Sequence, residues 1–238
     1  MAGHEQKKIY GIKGFLETSF LDWPGRICAV IFLGGCNFRC PYCHNPDLVL
    51  HPEKLQDLAW QELKPRLLEL GGWIDGVCIT GGEPTLHARL WDLLEEIKAL
   101  GLHVKLDTNG SRPMVLAELL RRDLVKAISM DVKAPLDSKL YRQAIGVDPP
   151  LDAISRSIEI LGASSWEIEF RTTLVPGFLD EAQVIQMASF LPQGARYTLQ
   201  GFKPGRSLDP ELDSKREFSQ EELSRLTREV KKLRVACA

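Results

Sequence analysis

Cys36-Asn37-Phe38-Arg39-Cys40-Pro41-Tyr42-Cys43-His44-Asn45 follows directly on Ile27–Leu33, an apolar run that reads as a buried strand. Its three cysteines stand at C-x3-C-x2-C spacing. Thiolate is a soft ligand, and thiols clustered this densely outside a secreted scaffold point to metal rather than to disulfides. A structural zinc or iron–sulfur site closes its shell with four protein ligands, whereas a reactive one keeps a position for substrate. No obvious fourth cysteine lies nearby. The stretch therefore predicts a [4Fe–4S] cluster with one iron open to a small molecule. A zinc site completed by His44 is the competing reading. A zinc ribbon would need two C-x2-C pairs, and only Cys40 and Cys43 form one.

Outward from this loop the chain alternates strand and helix patterns, the signature of a parallel sheet with helical crossovers. Six strands are expected: Ile27–Leu33, Gly76–Thr80, His103–Asp107, Ala127–Asp131, Glu167–Leu174 and Tyr197–Gly201. Several are near-continuous Val/Ile/Leu runs, as strands covered on both faces require. Helices are expected over Trp60–Leu70 (with Pro65 kinking it or delaying its start), Leu86–Leu100, Pro113–Arg122, Pro150–Leu161 and Glu181–Leu191. A last helix begins at Ser219, with Glu222 completing a capping box and Leu223, Leu226, Val230 and Leu233 forming one apolar stripe. Eight units would crowd 238 residues, since a closed barrel typically takes about 250. The expectation is an α/β fold, a partial, open TIM-like (β/α)6 barrel whose open side could admit a macromolecule. The segment before it, Ile9 to Arg26, carries the turn signal Asp22-Trp23-Pro24-Gly25-Arg26 and reads as a short strand or hairpin covering the fold.

Composition adds exclusions. Hydrophobic residues make up 44% and charged residues 26%, as in an ordinary soluble protein. Net charge is −2, from 30 basic and 32 acidic residues, which gives no electrostatic case for nucleic acid or an anionic membrane. Met1 to Lys8 lacks an apolar signal-peptide core and no run is long enough to span a bilayer, so a cytoplasmic location is expected. Cys28 and Cys78 fall inside strands and Cys237 at the tail; all three read as structural or incidental.

In a β/α barrel, reactive groups collect at the C-terminal ends of the strands. Every unusual polar cluster lands there. The cysteine loop follows the first of the six strands and Gly81-Gly82-Glu83-Pro84 the second. Asp107-Thr108-Asn109-Gly110 ends the third and Asp131-Val132-Lys133 the fourth, while Arg171 and Gln200 lie late in the fifth and sixth. Paired glycines let backbone approach a ligand closely. Asp107 could bond ribose hydroxyls or hold a cation, and Asn109-Gly110 also suits a plain turn. Asp131 and Lys133 share a face by strand alternation, as a ligand pair or a structural ion pair. His44, His51, His87 and His103 have no mutual metal spacing.

These residues resemble the radical S-adenosylmethionine (radical SAM) superfamily, whose C-x3-C-x-aromatic-C hallmark is matched by Cys36, Cys40, Tyr42 and Cys43. More narrowly, Gly35 to Pro46 with Leu21-Asp22-Trp23-Pro24-Gly25 upstream resembles the glycyl-radical-enzyme activating proteins, most closely those of anaerobic ribonucleoside-triphosphate reductase. The likeness runs from about residue 10 to 205 through Lys105–Gly110, Met130–Pro135 and Val175-Pro176-Gly177. It implies one radical SAM domain over 1–238, with a covering segment to 26, a barrel core over 27–205 and a C-terminal helix over 206–238. Cys36, Cys40 and Cys43 would hold the cluster, with S-adenosylmethionine chelated by its fourth iron. Gly81, Gly82 and Glu83 would meet the cofactor's amino group, Tyr42 its adenine, and Lys133 its carboxylate or ribose. Asp107, Thr108 and Asp131 match positions that hold a monovalent cation in related activases. Reductive cleavage to a 5′-deoxyadenosyl radical would then create a glycyl radical on a partner enzyme, with flavodoxin or ferredoxin as electron donor. One departure stands out: Gln200-Gly201-Phe202 replaces the usual histidine late in the last strand. Another small radical SAM enzyme, such as a carboxy-deazaguanine synthase, and a zinc-binding interaction module are the alternatives.

Overall fold

Parallel strands covered by helices need apolar side chains on both faces, and the Val/Ile/Leu runs of this chain supply them. The computed structural model describes residues 10–236. It opens with β1 (Ile12–Ser19) and β2 (Cys28–Leu33), followed by α1 (Pro46–Leu50), α2 (Trp60–Leu70) and β3 (Gly76–Gly81). Next come α3 (Leu90–Lys98), β4 (His103–Thr108), α4 (Pro113–Arg121), β5 (Ala127–Asp131), α5 (Ser138–Ile145) and α6 (Leu151–Gly162). The chain ends with β6 (Glu167–Leu174), α7 (Glu181–Phe190), β7 (Arg196–Gly201) and α8 (Gln220–Ala236). One seven-stranded sheet results, ordered β1 to β7 in sequence. β1 is antiparallel to β2, and all later neighbours are parallel. The six expected strands appear within a residue of their expected bounds, and the covering segment supplies the added edge strand.

Alternation sorts the sheet's two faces. Ile31, Ile79, Leu106, Ile128 and Phe170 are fully buried in the large core shared with the helices. The opposite, inner face begins with a small apolar plug of Trp23, Cys28, Val30, Cys78 and Ala127. Trp23 sits against Gly76, where a Cβ would lie 2.8 Å from the indole and 2.4 Å from the His103 carbonyl. The Asp22–Arg26 turn thus carries the residue that closes the lower end of the barrel. Cys28 and Cys78 are packing residues there, as expected, and Cys237 lies outside the described residues.

Helix ends depart from the sequence reading in instructive ways. The helix expected from Leu86 starts as a separate 3-10 turn, Pro84–Leu86, and α3 begins only at Leu90. His87 interrupts them: its backbone is extended and its Nε2 lies 2.7 Å from the Gly34 carbonyl oxygen. α2 runs straight through its expected start despite Pro65, which lies on the solvent side while Leu63 and Leu67 are buried. The short helices α1 and α5 escaped periodicity. The signals for α5 were local: Asp137 Oδ1 caps the amides of Lys139 and Leu140 at 2.9 Å, and Gly146 ends the helix in left-handed backbone. The capping box at α8 forms as read: Ser219 Oγ accepts from the Glu222 amide and Glu222 accepts from the Ser219 amide.

A buried hydroxyl relay ties β5, β6 and β7 together. Tyr197 Oη donates to Thr172 Oγ1 (3.0 Å), which donates to the Val132 carbonyl (2.7 Å). Thr172→Val keeps the shape but orphans both partners, and is expected to cost about 1–3 kcal/mol in urea denaturation. An unchanged midpoint would show that the relay contributes nothing.

Candidate active site

The cysteine loop leaves β2 through Gly34-Gly35 and is clamped from two sides. Arg39 donates through Nη1 to the carbonyls of Cys36 (2.6 Å) and Phe38 (2.8 Å), and its amide bonds the Ile145 carbonyl at the end of α5. On the other side, the amides of Leu208 and Asp209 donate to Cys43 and Pro41. Cys40 is buried, and Cys36 and Cys43 are half-buried. Burial pushes the Cys36 thiol up to about 11 and the Cys40 thiol to about 12. Such thiols ionise readily only when a metal cation compensates the charge. His44 is committed elsewhere, stacked on Phe202 with Nε2 2.7 Å from the Lys203 carbonyl oxygen. Among the described residues, no three His, Cys, Asp or Glu side chains converge on the position of a single ion.

Beside the loop, the tip of β3 approaches as closely as backbone allows. The Gly82 amide donates to Leu33 and the Glu83 amide to Gly35, each at 2.8 Å. A Cβ on Gly82 would lie 1.9 Å from the Gly35 carbonyl oxygen, and Gly81 has φ +115°. The two glycines are what lets this turn press on the start of the cysteine loop. Glu83 is buried and its carboxylate is fully engaged. It accepts from the Thr85 amide (3.1 Å) and hydroxyl, from Thr108 Oγ1 (2.8 Å) and from the Asn109 amide (2.6 Å). Burial raises its pKa against the pull of these donors. Glu83 and Thr108 line the pocket, but their polar atoms brace the tips of β3 and β4 against each other.

Across the inner face of β4, β5 and β6 runs a ladder of charges. Lys105 Nζ contacts Asp107 Oδ1, and Arg171 Nη1 lies 3.1 Å from Asp107 Oδ2. Arg171 Nε lies 2.9 Å from Asp131 Oδ1, and Lys133 Nζ 2.8 Å from Asp131 Oδ2. Burial opposes the charge on Asp131, but Arg171 and Lys133 outweigh it and hold the carboxyl well below the usual range. Burial likewise works against Lys133 and Arg171, and the aspartates more than restore their charge.

These elements enclose one cavity of about 210 Å³. Cys36, Cys40, Cys43, Tyr42, Gly81, Gly82, Glu83, Asp107, Thr108, Asp131, Lys133 and Arg171 all line it. Gln200 does not; it is exposed on the edge strand β7, opposite Thr173, which does line the cavity. A larger cavity, about 560 Å³, lies at the opposite strand ends beside His103, Lys126 and Trp166, and none of the rim residues reaches it.

The residues present fit a cluster with a bound amino acid-bearing cofactor. Three thiols share the cavity wall, the glycine turn leaves a cradle with no room for a side chain, and the buried Tyr42 hydroxyl has no protein partner. The Tyr42 ring meets Phe178 edge-on at 5.8 Å. Sequence reasoning passed over Asn37 and Ser111 and saw Asn109 only as turn chemistry. Asn109 Nδ2 donates to Asn37 Oδ1 (2.9 Å) and lies 3.9 Å from Cys36 Sγ, while Asn37 Nδ2 donates to Ser111 Oγ (2.9 Å). The Phe38 amide, 3.4 Å from Cys36 Sγ, and Asn109 Nδ2 thus place two N–H groups beside the Cys36 sulfur, with Asn37 and Ser111 holding Asn109 in position.

An acid whose pKa is depressed by folding adds stability above its unfolded value, about 3.9 for aspartate, and loses it as the pH falls toward the folded value. Asp131→Asn leaves Lys133 and Arg171 short of a counter-charge. It is expected to lower stability at pH 7 by about 3 kcal/mol, the low end for a broken buried pair because the carboxylate faces the open pocket. That deficit should shrink as the pH falls below about 4 in urea titrations, where the unfolded aspartate takes up a proton that the folded one still resists. A deficit independent of pH would refute the electrostatic assignment.

Comparison with known proteins agrees with this geometry. The radical SAM superfamily model matches residues 30–190. A Methanocaldococcus jannaschii protein named as a glycyl-radical enzyme activating enzyme is 32% identical over 206 residues, covering 84% of this chain and 83% of its own. The pyruvate formate-lyase-activating enzyme of Clostridium pasteurianum is 32% identical over 177 residues, 71% of each chain. Among solved structures, TYW1 with a lysine-pyruvate adduct superposes with a TM-score of 0.60 at 16% identity, covering 86% of this chain and 73% of that one. Streptococcus suis SuiB bound to S-adenosylmethionine gives 0.58 at 18% identity, over 85% and 42%. Cysteine loop, glycine turn and barrel together make this chain a member of the radical SAM superfamily.

Proposed function

We propose that this enzyme activates a glycyl radical enzyme, with anaerobic ribonucleoside-triphosphate reductase as the partner. The observation that carries the activity is the meeting of the three cysteines, the Gly81-Gly82 cradle and the charge ladder in one cavity, in a chain whose relatives are named as activating enzymes. The finer choice of partner rests on the likeness of the cysteine loop and of Leu21–Gly25. A pyruvate formate-lyase is the competing partner, after the Clostridium relative.

Cys36, Cys40 and Cys43 would hold the [4Fe–4S] cluster. When bound, cluster and S-adenosylmethionine supply a one-electron reductive cleavage that yields an agent able to take a hydrogen atom from glycine. The protein's own part is binding, orientation and exclusion. The cradle at Gly81 and Gly82 brings backbone close enough to meet an amino group. The ladder carries three cations against two carboxylates, so one positive charge remains to meet the cofactor's carboxylate from the side of Lys133 and Arg171. Tyr42 offers a buried ring and a free hydroxyl to the adenine side. β1 and β7 are the two edges of the sheet, and a glycine-bearing segment of the partner would enter beside β7, past Gln200. A low-potential one-electron donor such as flavodoxin or ferredoxin completes the system.

Anaerobically reconstituted protein, reduced in the presence of S-adenosylmethionine, is expected to release methionine and 5′-deoxyadenosine. Cys36→Ala, Cys40→Ala and Cys43→Ala should each abolish it, and normal turnover by any of them would sink the proposal. Mixed with the ribonucleotide reductase, the native protein should leave a persistent doublet in the electron paramagnetic resonance spectrum of that second polypeptide. A doublet on pyruvate formate-lyase alone would reassign the partner.

A further inference from the structure

The resemblance assigns Asp107, Thr108 and Asp131 to a bound monovalent cation, and the structure does not fit one. All four carboxylate oxygens of the two aspartates already face a protein cation. Asp107 is held by Lys105 through Oδ1 and by Arg171 through Oδ2, and Asp131 by Arg171 through Oδ1 and by Lys133 through Oδ2. The third would-be ligand is taken as well. Thr108 Oγ1 donates to Glu83 Oε1 at 2.8 Å and accepts from the Gly110 amide at 3.1 Å.

We infer that the Lys105 ammonium, with Arg171, stands in place of the metal cation, and that this site operates without bound Na⁺ or K⁺. Lys105 lies two residues before Asp107 on β4, so the pleat sets both side chains on the inner face. Its side chain is 3% exposed, lies 3.9 Å from Cys78 Sγ and borders a second, lower cavity that Ser129 and Glu169 also line. A lysine held in this way is a monovalent cation attached to the chain, delivered by folding rather than drawn from solution. Charge balance argues the same way. Two carboxylates and three cations leave one positive charge. A metal ion would raise the excess to two, in a pocket meant for a ligand carboxylate that carries one negative charge, and like charges held so close oppose binding.

This inference deepens the S-adenosylmethionine reading of the pocket and rests on it, so the experiment separates the two. Reductive cleavage by the reconstituted protein is measured in choline, sodium and potassium chloride at matched ionic strength, and crystals are soaked in rubidium for anomalous scattering. The expected result is equal cleavage in the three salts and no rubidium peak between Asp107 and Asp131. Lys105→Met removes the tethered charge at similar length; it should acquire a potassium requirement of about tenfold, within the usual range of coupling between sites, together with a rubidium peak. A residue with a merely structural role would not change the salt requirement.

Native protein that needs sodium or potassium, or that binds rubidium at the aspartates, overturns the inference and leaves the cofactor reading intact. A folded Lys105→Met protein indifferent to salt also overturns it. If Lys105→Met does not fold, the native protein's two arms decide. Absence of cleavage in every salt would strike the cofactor reading instead, and the rubidium arm would still decide the cation question.

Discussion

Five charged side chains, four on the inner face of three neighbouring strands and Lys133 just beyond the end of β5, form one ladder, and the geometry of the pocket follows from how they are paired. Lys105, Asp107, Arg171, Asp131 and Lys133 make an unbroken ladder, each carboxylate holding two cations and Arg171 serving both carboxylates. Register makes this possible. Asp131 lies directly opposite Arg171 in the β5–β6 ladder, and the long guanidinium then reaches across β5 to Asp107 on β4. Removing such groups from water costs several kcal/mol per ion, and pairing recovers that only with good geometry. Replacing buried ion pairs by apolar groups of the same volume is often neutral or stabilising. The ladder is therefore better explained by what it fixes: three strand tips in one register and a single unit of positive charge at the mouth.

A second set of contacts ties the cysteine loop to those tips. Gly35 receives the Glu83 amide, Glu83 receives the Thr108 hydroxyl and the Asn109 amide, and Asn109 reaches back to Asn37 inside the loop. The circuit passes from β2 to β3 to β4 and returns. Its members are held by atoms rather than by bulk. At Gly82 the backbones leave no room for a methyl group, and at Glu83 every carboxylate lone pair in reach of a donor is used. Side chains that line the cavity are here also the frame that shapes it.

This explains which parts of the molecule were legible in the sequence. Strands and their order were, because Val/Ile runs at β/α spacing admit few other structures. The cysteines, the glycine turn, Asp107, Asp131, Lys133 and Arg171 were too, since the parallel barrel sends every strand's C-terminal end to one rim. Gln200 shows the limit of that argument: it lies at the same rim yet on the outermost strand, where the wall ends and the side chain faces solvent. Residue type and face can be read from pattern. Which lone pairs are already spent cannot, and this is why the bonds that tie Glu83 and Thr108 to each other and to Asn109 were not visible in the sequence, and why Asn37 and Ser111 went unnoticed. The break between Leu86 and Leu90 was hidden for a similar reason, since it depends on a bond from His87 to Gly34, more than fifty residues away in sequence.

The ladder also has a direction. β4 carries Lys-x-Asp, and β5 ends at Asp131 with Lys133 two residues beyond it, so the same pair of residue types appears in opposite order along two parallel segments. Strand C-terminal ends mark the mouth, which puts Lys105 below its aspartate and Lys133 above. The deeper lysine is buried and can only neutralise, whereas Lys133 borders the cavity beside Cys40 and Tyr42. Reversing the order on β4 would keep the composition and the net charge but would set the aspartate a further pleat away from Arg171. It is the order along the strand that sends the surplus positive charge outward, toward a ligand bearing a carboxylate, and keeps the interior balanced.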